Sequence, residues 1–172
     1  GRLGDVVFVD AAWSVGQIGE TKFPPLPAHK AWREDVRRSG GGAMMARGVH
    51  LLDLLRFVTG QDITSIAATT DQRDKQSVEQ FATALLQLNK IPAAMLTSRR
   101  LPMADNHLTI YGTEGRVTLR DSFTTNSVGE LEVLGKKKQV RHFRQPANVY
   151  AREVDDFVRW LRGQSTTTAT LD

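Results

Sequence analysis

The chain contains no cysteine. That excludes a disulfide framework and any cysteine-ligated zinc or iron–sulfur site, and it fits a reducing compartment such as the cytoplasm. Long hydrophobic runs are also missing: charges interrupt every apolar stretch well before the roughly 18 residues that a bilayer requires. No signal-peptide pattern is visible, and no membrane partner is expected. Aromatic residues are sparse, and none interleaves with the cations Lys136-Lys137-Lys138, Arg141, Arg144 and Arg99-Arg100 that supply much of the net charge of +4. A single-strand binding surface needs such interleaving, so these runs read as solvated faces and no nucleic-acid partner is expected. The histidines, His29, His50, His107 and His142, lack the spacing to carboxylates that zinc or iron sites show, so no metal site is expected. A nucleophile elbow, G-x-S-x-G, is absent. No G-x-G-x-x-G follows a strand and opens a helix, so this piece should not bind a dinucleotide by itself.

What is present starts with size. The 172 residues, 40% of them hydrophobic, suit one soluble domain with a sizeable core. The sequence is organised around Ser39 to Val58, where Gly40-Gly41-Gly42 leads into a run too apolar for a surface helix and too long for a strand. It reads as a buried helix ending before Thr59-Gly60, with Ser39 or Gly40 as its cap. At 100° per residue, Met44, Gly48, Leu51, Leu52 and Leu55 share one side, and Gly48 should allow close backbone approach there. Ala46, His50 and Asp53 fall on the opposite side, flanked by Arg47 and Phe57. This is the chemical face, since an imidazole can exchange a proton with a substrate hydroxyl near neutrality. On the residues alone, a lone histidine on a largely apolar helix is more often a structural residue than a base.

The run Gly40-Gly41-Gly42-Ala43-Met44-Met45-x-x-Gly48-Val49-His50-x-x-Asp53, preceded by Trp32-Arg33 and followed by Gly60, resembles the C-terminal domain of the glucose-fructose oxidoreductase, inositol dehydrogenase and MocA family. The resemblance covers nearly the whole chain. It implies an NAD(P)-dependent oxidoreductase of sugars or cyclitols, with His50 beside the substrate carbinol and the nicotinamide. It also implies that Trp32 and Arg33 border the active-site cleft, that the sheet forms the subunit interface of a homo-oligomer, and that a Rossmann domain upstream carries the coenzyme and a lysine. One departure stands out: the family pattern usually has an aspartate four residues before the histidine, and this sequence has Ala46 there, followed by Arg47.

Taken in order, the chain opens on Gly1-Arg2-Leu3-Gly4-Asp5 without a leader, like a piece of something longer. Asp5 to Trp13 reads as a strand. Ser14 to Lys30 loses its apolar period and reads as a long irregular, functional loop. Its end brings His29-Lys30-Ala31-Trp32-Arg33, where an aromatic ring and forked or charged donors suit sugar hydroxyls or a carboxylate. Ile63 to Thr70 reads as a strand, and Ser77 to Leu88 pairs with Ile91 to Arg100 through the Asn89-Lys90 turn. The alternation across these segments suggests that both sheet faces are partly covered, the second by another subunit. Asn106 to Tyr111 and Arg116 to Arg120 form a second hairpin, whose Gly112 and Gly115 can take positive φ. Leu131 to Leu134 and Gln139 to Phe143 form a third. Pro146-Ala147-Asn148 caps a helix with Tyr150, Val154, Phe157 and Leu161 on one face, closing at Gly163, and the threonine-rich tail from Ser165 is unpatterned.

The expected fold is therefore α+β: a mostly antiparallel, open-faced sheet with helices packed on one face. The resemblance implies the C-terminal domain type of the ferredoxin-reductase-like or dihydrodipicolinate-reductase-like folds. Residues 1–172 are read as one substrate-binding and oligomerisation domain. Its expected chemistry places His50 as the proton acceptor, Lys30, Arg33 and Arg47 as substrate contacts and Trp32 as a pocket wall, with NAD or NADP held by the upstream domain. The other reading is a non-catalytic assembly or ligand-binding module, in which Ala46 marks lost chemistry.

Overall fold

The computed structural model describes residues 3–15, 28–72, 74–101, 104–123, 128–144 and 148–164. Most of the irregular loop expected after Ser14, the Pro146-Ala147 stop and the tail from Ser165 lie outside the described residues.

Among the described residues, eight strands form one sheet in the order β2-β3-β4-β1-β5-β6-β7-β8. They are β1 (Val6–Ser14), β2 (Ile63–Thr70), β3 (Phe81–Leu88), β4 (Ile91–Ser98), β5 (His107–Gly112), β6 (Arg116–Arg120), β7 (Val128–Leu134) and β8 (Lys138–Arg144). Every neighbouring pair is antiparallel except β1 and β4, which run parallel with Val9 opposite Ala93 and Ser14 opposite Ser98. The helices are α1 (Val36–Ser39), α2 (Val49–Thr59) and α3 (Val149–Leu161).

The core lies between α2 and one sheet face. Leu51 and Leu55 pack into a cluster with Val9 and Ala11 of β1, Ala84, Leu86 and Leu88 of β3, Ala93 and Met95 of β4, and Leu108 of β5. The alternation Ala82, Ala84, Leu86, Leu88 is buried as the period-2 pattern requires, while Leu85 on the other face is 66% exposed. Within this chain, then, only one face of that segment is covered. The α3 helix begins as expected, with the Asn148 side chain accepting from the Ala151 N–H at 2.9 Å. None of its residues is buried.

The glycines behave differently from expectation in two places. Gly112 and Gly115 are not among the positive-φ residues. They are instead sites of close approach, where a Cβ would overlap the Leu3 carbonyl oxygen and the Leu134 carbonyl oxygen respectively. Gly48 makes room for the Met44 thioether of its own helix rather than for another backbone.

Candidate active site

Parallel pairing of β1 with β4 brings their carboxyl ends to one edge of the core. A cavity of about 580 Å³ opens there, walled by Trp13 and Val15 at the end of β1, Arg99 just past β4, and the glycine loop that enters α2. Its outer wall is a 3₁₀ turn, Ala28–Glu34, which carries Lys30, Trp32 and Arg33. With three residues per turn, positions 30 and 33 stack on one side, so both cations meet the cavity. The Arg33 guanidinium lies over the Trp32 ring, 5.5 Å from its centroid. Two contacts fasten this turn: Asp35 caps α1 by accepting from the Arg37 N–H at 2.9 Å, and Glu34 forms an ion pair with Arg99.

The glycine loop is shaped by a residue that the spacing of the motif does not reveal. The Glu79 carboxylate, on a side chain buried beneath the loop, accepts from the N–H groups of Gly42 at 2.8 Å and Met44 at 2.9 Å. The Ala43 N–H donates to the Glu79 carbonyl at 2.9 Å. Glu79, rather than Ser39 or Gly40, therefore caps the long helix; Gly40 ends α1 instead, with φ of 75°. Gly42 is glycine because a Cβ would overlap the Glu79 carbonyl oxygen.

The helix then begins with a π-helical turn, Met44–Gly48, before continuing as α2. Such wide turns bulge the backbone locally and often border functional sites. Here Ala46 and Arg47 line the cavity, and His50 follows one turn later. The face assignment holds through this irregularity: Gly48, Leu51 and Leu55 are buried, whereas Ala46, His50 and Asp53 are exposed. The His50 ring is not sealed in the core. It leans on the Trp13 ring at 5.7 Å between centroids; Trp13 lines the cavity and His50 itself does not. Trp13 is held from its other neighbour by Phe123, at 5.5 Å. Asp53 has no hydrogen-bonding partner among the described residues.

Charge in the cavity is one-sided. Lys30, Arg33, Arg47 and Arg99 line it, and among the described residues no carboxylate does. Arg47 is half-buried, and its guanidinium pKa falls below the usual value through loss of solvation, with repulsion from Arg99 and Arg33 adding to the shift. The arrangement offers an apolar indole wall, forked donors and an accessible imidazole. That combination can bind a polyhydroxylated molecule and move a proton at its rim. Of the five residues singled out from the sequence, Lys30, Trp32, Arg33 and Arg47 line this cavity, whereas His50 does not line it and meets one of its walls, Trp13, from the side. Trp13, Glu79 and Arg99 were missed, because each reaches the site through a long-range contact rather than a local pattern. Among the described residues, no cluster of three or more metal-ligating side chains occurs.

A family model described as the GFO/IDH/MocA C-terminal domain matches residues 1–118. The chain belongs to this family. It is 26% identical over 149 residues to the 1,5-anhydro-D-fructose reductase of Ensifer adhaerens, covering 84% of this chain and 45% of that protein. To the D-xylose 1-dehydrogenase [NADP(+)] of Haloarcula marismortui it is 25% identical over 126 residues, 72% of this chain and 34% of that one. The fold matches the crystal structure of aldose-aldose oxidoreductase from Caulobacter crescentus complexed with glycerol, with a TM-score of 0.75 and 21% identity over 96% of this chain and 48% of that one. This GFO/IDH/MocA C-terminal domain thus spans less than half the length of these relatives. No helix among its described residues is long and apolar enough to cross a membrane.

Proposed function

We propose that this domain is the substrate-binding and oligomerisation half of a cytoplasmic, NAD(P)-dependent oxidoreductase that acts on a sugar, cyclitol or related polyol. The observation that carries the reading is the exposed His50 imidazole resting against Trp13, one wall of a cavity lined by indole rings and cations. The named activities of its relatives, a sugar reductase and a sugar dehydrogenase, point to the same reaction class.

Such a reaction needs a nicotinamide, and the glycine loop of this chain does not fit one. A loop that cradles a pyrophosphate must leave its helix N–H groups free, and here Glu79 already occupies those of Gly42 and Met44. In this reading the coenzyme, NAD or NADP, is held by the upstream Rossmann domain that the family resemblance implies, where it would exchange a hydride with the substrate's carbinol carbon. The task of this chain is to bind and orient the substrate and to handle the proton. Trp32 and Trp13 present apolar ring faces to the sugar, Lys30, Arg33 and Arg47 donate to its oxygens, and His50 accepts the hydroxyl proton and returns it in the reverse direction. The open sheet face, with Leu85 exposed beside Ala67 and Ala94, joins copies of the protein into a homo-oligomer.

The decisive experiment is His50→Gln in the full-length protein, which keeps the size and polarity of the side chain but removes the base. The turnover number is expected to fall by roughly 10² to 10⁴ with substrate binding retained, and the pH-rate profile should lose the limb set by the imidazole. An unchanged profile would remove the base assignment. One feature favours the second reading, a non-catalytic ligand-binding module: among the described residues no carboxylate reaches His50, and Ala46 stands one turn before it. In that case no sugar, cyclitol or keto sugar would turn over with either coenzyme, while ligand binding would persist.

A further inference from the structure

The charge imbalance of the cavity asks for a ligand of opposite sign. Four cations line it, and the carboxylates beside it are already engaged: Glu34 by Arg99 and by the Gln80 amide at 3.4 Å, and Glu79 by the N–H groups of Gly42 and Met44. Arg33 rests on Trp32, and Arg47 has no carboxylate partner among the described residues. Half-burying a guanidinium next to two others costs stability, because each loses hydration and repels its neighbours. Nothing in the packing offsets that cost: Arg47 closes no hydrogen bond to the β1 or β4 ends that flank it. Position 46, whose side chain also lines the cavity and could have brought a carboxylate to these cations, is an alanine.

Resting on the reading of this cavity as a substrate site, we propose that the substrate carries an oxyanion, a carboxylate or a phosphate, held by Arg47 and Arg33, and that the protein prefers sugar acids or sugar phosphates to neutral sugars. A guanidinium presents parallel N–H donors in a rigid fork that matches two oxygens of either group. Arg47, half-buried, makes the buried contact; Arg33, placed over the indole, closes from the outer wall. Arg99, partly neutralised by Glu34, adds to the positive potential. Its ion pair also fixes the 3₁₀ turn against the end of β4. The sugar ring then lies between this anion site and His50, with Trp13 beneath it.

Binding is tested in the full-length protein by following tryptophan fluorescence, since Trp13 and Trp32 line the cavity. The probes are D-glucose, D-glucuronate and D-glucose 6-phosphate. One of the two anions is expected to bind about tenfold or more tightly than glucose at low ionic strength, with the advantage shrinking as salt is added. Comparing glucuronate with the phosphate shows which oxyanion the fork is built for. Arg47→Gln should abolish the preference. Arg47→Lys, which keeps the charge without the fork, should retain part of it. Ala46→Asp supplies a competing carboxylate in the cavity lining and should lower anion affinity.

Equal affinity for glucose and both anions, or a preference that survives Arg47→Gln in folded protein, would overturn the proposal. Turnover of neutral sugars with a nicotinamide under those circumstances would leave the dehydrogenase reading intact. Conversely, Arg47-dependent anion binding without turnover of any sugar, cyclitol or keto sugar, charged or neutral, with either coenzyme would sustain the anion site and end the reading as a dehydrogenase.

Discussion

At the scale of single residues, the site depends on a side chain that does no chemistry. Glu79 satisfies two N–H groups of the loop entering α2 and places a negative charge where the helix dipole favours it. Glu79→Gln keeps the volume but turns one acceptor into a donor facing a donor. Leaving a buried N–H unpaired costs about 1–3 kcal/mol, so urea unfolding should shift its midpoint down by a corresponding amount with an unchanged slope. Because Gly41 and Gly42 also line the cavity, the same substitution should raise KM more than it lowers kcat. A variant as stable as the parent would show that water replaces the carboxylate at no cost. The contrast between Glu79 and His50 explains what a sequence can reveal. The histidine is legible because it shares a helix with its neighbours, and the period of that helix is written in consecutive residues. The glutamate lies 37 positions away from the loop it caps, and no local pattern connects them. Trp13 and Arg99 are hidden for the same reason: they meet only because β1 and β4 pair in parallel.

Among elements, the strands were the most readable part, since alternating burial against α2 leaves a period-2 signature in β3 and β4. What the pattern could not disclose is how the uncovered face divides. The register aligns Ala67, Leu85, Ala94, Asp10, Thr109, Thr118 and Glu132 in one row across the sheet. Over β2 to β4 this face is uncharged, with Ala67, Leu85, Ala94 and Leu96 among threonines. From β5 onward it carries ion pairs: Glu132 with Arg116 at 3.1 Å and Lys138 at 2.6 Å, and Glu130 with Arg120 and His142. These cations hold the Glu132 carboxyl below its usual range.

At the boundary stands His107, whose Nε2 lies 2.9 Å from Asp10 Oδ2. That hydrogen bond raises the imidazole pKa above the usual 6.5, against the opposing effects of burial and of Arg120. A group whose pKa is raised on folding stabilises the fold fully below its unfolded value and loses that contribution as pH climbs through the folded one. Asp10→Asn should therefore destabilise the protein most near about pH 5.5, with the gap to the parent narrowing toward about pH 9. Urea titrations of both proteins at the two pH values measure this directly. A gap that stays constant would mean that the pair contributes through the neutral hydrogen bond alone.

For the molecule as a whole, two surfaces stay uncovered in this chain: the uncharged β2 to β4 face, and α3, where Tyr150, Val154, Phe157 and Leu161 are each at least 50% exposed. Patches of this kind usually mark contacts with other chains or domains. The sheet face suits a second copy because a flat, self-complementary surface can meet itself across a two-fold axis. Leu85 tests the proposed assembly. Its side chain is 66% exposed beside Ala67 and Ala94, so Leu85→Asp removes nothing from the core, and its effect on an isolated chain should stay within about 0.5 kcal/mol. In an oligomer the same change buries an unpaired carboxylate at the contact, which several kcal/mol of apolar burial would not offset. Sedimentation should then find the parent protein associated and the variant monomeric, with unchanged circular dichroism. The Leu85 variant should also retain ligand binding in the Trp13 cavity, because that cavity lies at the strand ends and not on the open face. A parent protein that sediments as a monomer, or a variant that still associates, would move the contact to another surface, with the apolar face of α3 the next to be tested.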